Sequence, residues 1–179
     1  MFGFGKAKRE ATQVGEAAAR MAIMPFWDMF ERGFDARIWS DPYVLGLING
    51  SVGAQTLSIT GRKLSTTDKG FVVLGVLRSL GASQSAIEHF LRLAQTQDPE
   101  FARGSDDAIL TFLLMAGAVK KEAYLEPDIV AAKEAVQQLR EDASLLGITQ
   151  DPRHPDEELG SAYIFLKAHQ HKEAHYPRE

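Results

Sequence analysis

The chain has 179 residues, of which 45% are hydrophobic and 25% charged, and this composition is typical of a globular domain that buries one core. Its formal net charge of -4 argues against a protein that binds nucleic acid by neutralising many phosphates, since such proteins carry clustered Lys and Arg. Without cysteine the chain can form no disulfide, thiolate zinc site or thiol nucleophile, which agrees with a cytoplasmic location.

Large aromatic rings are concentrated between residues 26 and 43. The cluster consists of Phe26, Trp27, Phe30, Phe34, Trp39 and Tyr43. On a helix, Phe26 and Phe30 share one face and Phe34 continues it, whereas Trp27 points elsewhere. The segment is therefore apolar on more than one side.

These rings have two possible roles. Core packing is the more frequent one. Aromatic residues also supply much of the binding energy at interfaces, so we predict a docking surface for a second copy or another protein, with a symmetric dimer as the commonest closed assembly. Its candidate residues are Phe26, Trp27, Phe30, Phe34 and Trp39.

The segment from Pro42 to Gly61 is uncharged and is therefore a candidate for a membrane span. Six polar side chains oppose that interpretation, because their insertion into lipid would be costly. They are Asn49, Ser51, Gln55, Thr56, Ser58 and Thr60. We therefore predict that this segment forms a packed helix and does not span a membrane. Gly46, Gly50 and Gly53 fall on one side of that helix, where a neighbouring helix can approach closely.

Two apolar segments predict buried central helices. One runs from Phe71 to Leu80 after the start signal "STTD", and the other runs from Ala108 to Val119 after "GSDD". Between them, Ser85 and Glu88 have the spacing of a capping box at a helix start. Arg78 interrupts the first apolar segment, so it must reach a carboxylate or solvent, unless it contacts an anion in a cavity.

A third helix after "EPD" has an apolar stripe with alternating spacings of three and four. The stripe contains Ile129, Ala132, Val136, Leu139, Ala143 and Leu146. Pro127 suits the first turn and Gly147 suits a C-terminal cap. We expect the whole stripe, including Leu139 at its middle, to pack on a neighbouring helix.

The last helix is predicted to begin near "PDEE" at Pro155 and to reach the histidine-rich sequence "HQHKEAH". His171 and His175 are four residues apart, so on a helix their imidazoles can bind one divalent metal ion. A third ligand fixed by the fold is not evident from the sequence. A solvated helix end is the more frequent explanation of such a short histidine tract.

These patterns predict an all-α multi-helix bundle with an aromatic-rich N-terminal helical region. We expect a single domain, 1–179, composed of a helical arm (1–40), a helical core (41–175) and a tail (176–179).

The patterns also favour a noncatalytic helical interaction protein that self-associates through its aromatic region. The alternative is a small-molecule or metal-binding helical protein, enzymes included, that uses Arg78 or the C-terminal histidines. The sequence assigns no cofactor and no catalytic residue, and it leaves catalysis an open question.

Overall fold

The computed structural model describes residues 3–31, 35–60, 65–145 and 155–176, without the side chains of residues 3–10, 30, 31, 35, 58–60, 66 and 155. These residues are mostly helical and contain no strand, which confirms the all-α prediction. Contacts divide the chain into two compact units, Met1–Ile109 and Leu110–Glu179, and each is described by itself. The expected single domain stays a prediction.

The helices have the following bounds. The first unit contains α1 (Gly3–Ile23), α2 (Trp27–Glu31), α3 (Asp35–Ile38), α4 (Pro42–Thr60), α5 (Thr66–Ser79), α6 (Gln84–Thr96) and most of α7 (Pro99–Met115), with a 3-10 turn at Met24–Phe26. The second unit contains the end of α7, a 3-10 segment at Lys121–Leu125, α8 (Pro127–Leu145) and α9 (Pro155–His175). The predicted helix starts at Pro127 and Pro155 are therefore confirmed, whereas Leu146 and Gly147 lie outside the described residues.

Side-chain caps define where several helices begin. Ser65 caps α5 as the "STTD" signal predicts, because its hydroxyl accepts a hydrogen bond from the backbone amide of Asp68 at 3.1 Å. The predicted cap at Ser85 is wrong by two residues. Ser83 caps α6 instead, and its Oγ accepts from the amide of Ala86 at 3.2 Å.

Helix α7 begins earlier than the sequence suggests. The "GSDD" signal predicts a start near Ser105, but α7 begins at Pro99. Asp98 is its cap, since the Oδ1 atom accepts hydrogen bonds from the amides of Glu100 and Phe101, both at 3.0 Å. The "GSDD" sequence therefore lies inside the helix, where Ser105 and Asp107 contact α4 rather than cap a terminus.

Helices α4 and α7 meet at their backbones. A Cβ atom added to Gly46 would overlap the carbonyl oxygen of Phe101, and one added to Gly50 would overlap the carbonyl oxygen of Ser105. Gly104 provides the same space from the α7 side. The predicted close approach at Gly46 and Gly50 is confirmed, because a methyl group at either position has no room.

Apolar residues surround α4 and explain its composition. Its Val44, Leu45, Leu47 and Ile48 side chains are fully buried. Helices α1, α5 and α6 also pack against α4, so this helix has apolar neighbours on several sides. Within the described parts of the chain, no helix is long and apolar enough to cross a membrane.

Helices α8 and α9 of the second unit run antiparallel. Lys167 donates a hydrogen bond to Asp128 at 3.0 Å near one end, and Arg140 contacts Glu158 at 2.6 Å near the other. The Lys167 hydrogen bond lowers the pKa of the Asp128 carboxyl below its usual range. The buried core of this unit consists of Leu114, Ile129, Ala132, Leu159 and Tyr163.

The predicted burial of the α8 stripe is correct for its first part only. Ile129 and Ala132 are fully buried, but Leu139 is 63% exposed. The core residues that cover the stripe contact its N-terminal half. The two predicted central helices are also less buried than expected, because Phe71 is 53% exposed and Leu113 is 40% exposed.

The α4–α7 contact generates the first prediction. Replacing Gly50 with Ala should lower the free energy of unfolding by about 1–3 kcal/mol or more, because the new methyl group overlaps backbone that cannot rotate away. Gly70→Ala is the matched control, since Gly70 also lies within a helix and, apart from its chain neighbours and its own helix backbone, no described atom lies within 4 Å of the position that its new methyl group would take. We expect that control to gain about 0.5–1 kcal/mol from helix propensity. Urea unfolding measures both changes, and equal stability of the two variants would disprove the tight crossing.

Candidate interaction surfaces and the C-terminal histidine pair

The aromatic cluster near the N-terminus divides into buried and exposed members. Phe26 and Tyr43 are fully buried, and Trp39 is 9% exposed. Trp27 differs, because 47% of its surface is exposed. Phe34 and the side chain of Phe30 lie outside the described residues.

Phe26 and Trp27 lie where a 3-10 turn passes directly into α2. Pro25 lies in this turn, which separates α1 from α2. Phe26 and Met29 point into the unit, whereas Trp27 and the neighbouring Met24 are about half exposed. Phe26 and Trp39 are thus unavailable to a partner in this conformation, and Trp27 is the exposed member among the described side chains of the predicted interface.

An open groove of about 810 Å³ lies between α8 and α9 in the second unit. Apolar side chains form most of its lining. They are Ala135, Val136 and Leu139 from α8, with Ala162, Phe165 and Leu166 from α9. Leu139 and Phe165, at 63% and 44% exposed, present the largest accessible apolar groups of this lining. Sequence periodicity predicted the stripe on α8 but did not predict that part of it would remain open.

A salt bridge lies at one end of the groove. Both Nε and Nη2 of Arg140 donate hydrogen bonds to Oε2 of Glu158, at 2.9 and 2.6 Å. The two side chains are partly exposed, so this ion pair contributes little to stability. Glu157 also lines this end of the groove.

The histidine-rich sequence lies in the last two turns of α9. His171 and His175 form a stacked pair, with ring centroids 4.4 Å apart and planes inclined by 29°. His171 is only 3% exposed, so the predicted solvated helix end is wrong for this residue. His169 is separate from the pair, because it is exposed and contacts Glu173 at 3.1 Å.

Arg78 is exposed to solvent, which is one of the alternatives that the sequence leaves open for this residue. The residue lies near the C-terminal end of α5, and its side chain is exposed. Positive charge at the end of a helix also interacts favourably with the helix dipole. The exposed position removes the need for a buried carboxylate partner.

A second, more polar cavity of about 610 Å³ lies in the first unit. Trp39, Ser83, Ser85, His89 and Arg92 are among its lining residues. The imidazole Nε2 of His89 lies 3.0 Å from the carbonyl oxygen of Ser40. The sequence assigns His89 no role, since a single helix-borne histidine carries no spacing signal.

Buried polar side chains link α4 to α7. The hydroxyl of Tyr43 donates a hydrogen bond to Asp107 at 3.0 Å, and the guanidinium of Arg103 lies 4.4 Å from the centre of the Tyr43 ring. The amide of Asn49 donates to Ser105 Oγ at 3.1 Å. These contacts hold the two helices in register, and they correct the expectation that Ser105 and Asp107 cap a helix.

Comparison of the chain with protein-family models, with curated proteins and with solved structures finds no match. A functional assignment therefore rests on the surfaces of the chain itself. Two of them are apolar, the area around Trp27 and the groove between α8 and α9. The histidine pair is a third feature with possible chemistry, because imidazole nitrogens bind metals.

The open groove generates the second prediction. Leu139→Ala should lower the free energy of unfolding by less than about 1 kcal/mol, because the leucine is already mostly in water. Ile129→Ala, in the buried part of the same stripe, should cost about 2–5 kcal/mol. Chemical denaturation followed by circular dichroism compares them. A loss at Leu139 as large as at Ile129 would show that the groove is filled.

Proposed function

We propose that this protein is a noncatalytic helical interaction protein that self-associates through the surface around Trp27. The half-exposed indole of Trp27, between the buried side chains of Phe26 and Met29, supports this proposal. Tryptophan is a frequent anchor at interfaces, because it buries a large area with few rotatable bonds.

The backbone around Trp27 suits an anchor. Phe26 precedes it and Met29 follows it, and both side chains are buried in the first unit. These buried side chains fix the position of the short helix α2, so the indole needs little ordering when a partner binds. Met24 adds a second half-exposed apolar side chain nearby in sequence. A two-fold axis near Trp27 would bring the same patch of both copies together.

Light scattering tests this assembly. We expect the wild-type chain to be a dimer at low micromolar concentration, and Trp27→Ala to shift it toward monomer while circular dichroism stays unchanged. Phe165→Ala is the control, since Phe165 is equally exposed but belongs to the second unit. That variant should remain a dimer. A wild-type monomer throughout this concentration range would refute self-association at Trp27.

The stacked histidine pair supports a second candidate function, the binding of a divalent metal. His171 and His175 lie one helical turn apart, and their rings are close enough for both imidazoles to approach one ion. Burial of His171 restricts the motion of its ring, which lowers the ordering cost of a bound metal.

Isothermal titration with zinc chloride tests the histidine pair. We expect one ion per chain, and His175→Ala should weaken binding about tenfold or more because one direct ligand is lost. His169→Ala is the matched control, since His169 is exposed and contacts Glu173 instead. Equal affinities of the His175→Ala and His169→Ala variants would show that zinc binds elsewhere.

A further inference from the structure

We infer that the groove between α8 and α9 is a docking site for an amphipathic helix of another protein, whose apolar stripe is flanked by lysines or arginines. This inference goes beyond self-association at Trp27. The surface belongs to the second unit, and its occupant is a different molecule.

The shape of the groove suits a helix. Two antiparallel helices form its walls, with Arg140–Glu158 near one end and Lys167–Asp128 toward the other. The lining residues extend over about three turns of α9, from Glu157 to Leu166. A helix laid along such a groove places its apolar residues at spacings of three and four against both walls.

The lining supplies apolar anchors on both walls. Leu139 on α8 is mostly exposed, and Phe165 on α9 is nearly half exposed. Smaller side chains lie between them, such as Ala135 and Ala162, and they leave space for the side chains of a partner helix. An aromatic ring next to small residues is typical of a site where a few contacts dominate the binding energy.

The charge around the groove determines the kind of helix that fits. Helices α8 and α9, as the structure describes them, contain eight acidic and four basic side chains, so they carry an excess of negative charge. The acidic residues are Asp128, Glu134, Glu141, Asp142, Asp156, Glu157, Glu158 and Glu173, and the basic residues are Lys133, Arg140, Lys167 and Lys172. Among the basic residues, Arg140 is bonded to Glu158 and Lys167 to Asp128. A partner with lysines or arginines beside its apolar stripe complements this field.

The same charge argues against a second copy of this groove as the occupant. Two copies related by a two-fold axis would bring acidic surfaces together, and like charges oppose association. The basic helix of another protein meets no such repulsion. Charge therefore separates this surface from the one proposed for self-association.

Fluorescence anisotropy with the full-length chain tests the inference. The probe is a fluorescein-labelled peptide of about 18 residues, with leucines at helical spacing and lysines beside them, long enough to form a helix on binding. The control peptide has the same sequence with glutamates in place of the lysines. We expect the lysine peptide to bind, and its affinity should fall as the salt concentration is raised. The glutamate peptide should bind with at least tenfold lower affinity.

Variants of the chain locate the binding site. Phe165→Ala should lower the affinity for the lysine peptide at least tenfold. Phe71→Ala should leave this affinity unchanged, because Phe71 is a similarly exposed phenylalanine in the first unit. Leu139→Ala repeats the test on the other wall, so a folding defect in one groove variant does not decide the result. Trp27→Ala should bind the peptide like wild type, which separates this site from the dimer surface.

Three outcomes would overturn the inference. The first is equal affinity for the lysine and glutamate peptides. The second is unchanged binding by both Phe165→Ala and Leu139→Ala when both retain their helicity. The third is a wild-type dimer that dissociates in light scattering when Phe165 is replaced, because the groove would then be occupied by a second copy.

Discussion

The backbone contact between α4 and α7 is the constraint on which the first unit depends. Gly46, Gly50 and Gly104 remove side chains where the two helices cross, and no other residue leaves enough space there. Glycine lowers the intrinsic stability of a helix, and close packing of the backbones offsets that cost. The short distance also brings polar groups into reach, since Ser105 Oγ donates to the carbonyl oxygen of Gly46 at 3.1 Å.

Helix α7 contributes residues to both units. Its N-terminal part supplies Phe101 and Ala108 to the buried interior of the first unit. Its last residues belong to the second unit, where Leu114 lies in the core with Ile129 and Tyr163.

The sequence predicts features that depend on neighbouring residues better than features that depend on distant ones. Local signals identify the helix starts at Pro127 and Pro155 and the close approach at Gly46 and Gly50. The start predicted from "GSDD" is wrong because glycine followed by acids resembles a helix start, whereas Gly104 is required inside α7 by contact with α4.

The candidate sites were harder to predict because exposure is set by residues far along the chain. Periodicity places Leu139 on the apolar stripe, but residues from α7 and α9 cover only the first part of that stripe. Composition describes the histidine tract as polar, yet His171 is buried. For the aromatic cluster, the sequence separates Trp27 from the face of Phe26 correctly, since their direction on a helix is a local property.

The most exposed large apolar residue of the groove, Leu139, contributes little to the stability of the fold. Leu139 is in contact with water both before and after folding, so it contributes little of the hydrophobic free energy that a buried leucine supplies. The Arg140–Glu158 ion pair beside it is partly exposed and of similarly small value. Folding alone thus gives little reason for a leucine at position 139. A partner helix would bury the exposed parts of Leu139 and Phe165, and this burial would stabilise the complex. The surrounding acidic residues would favour a partner helix that carries lysines or arginines.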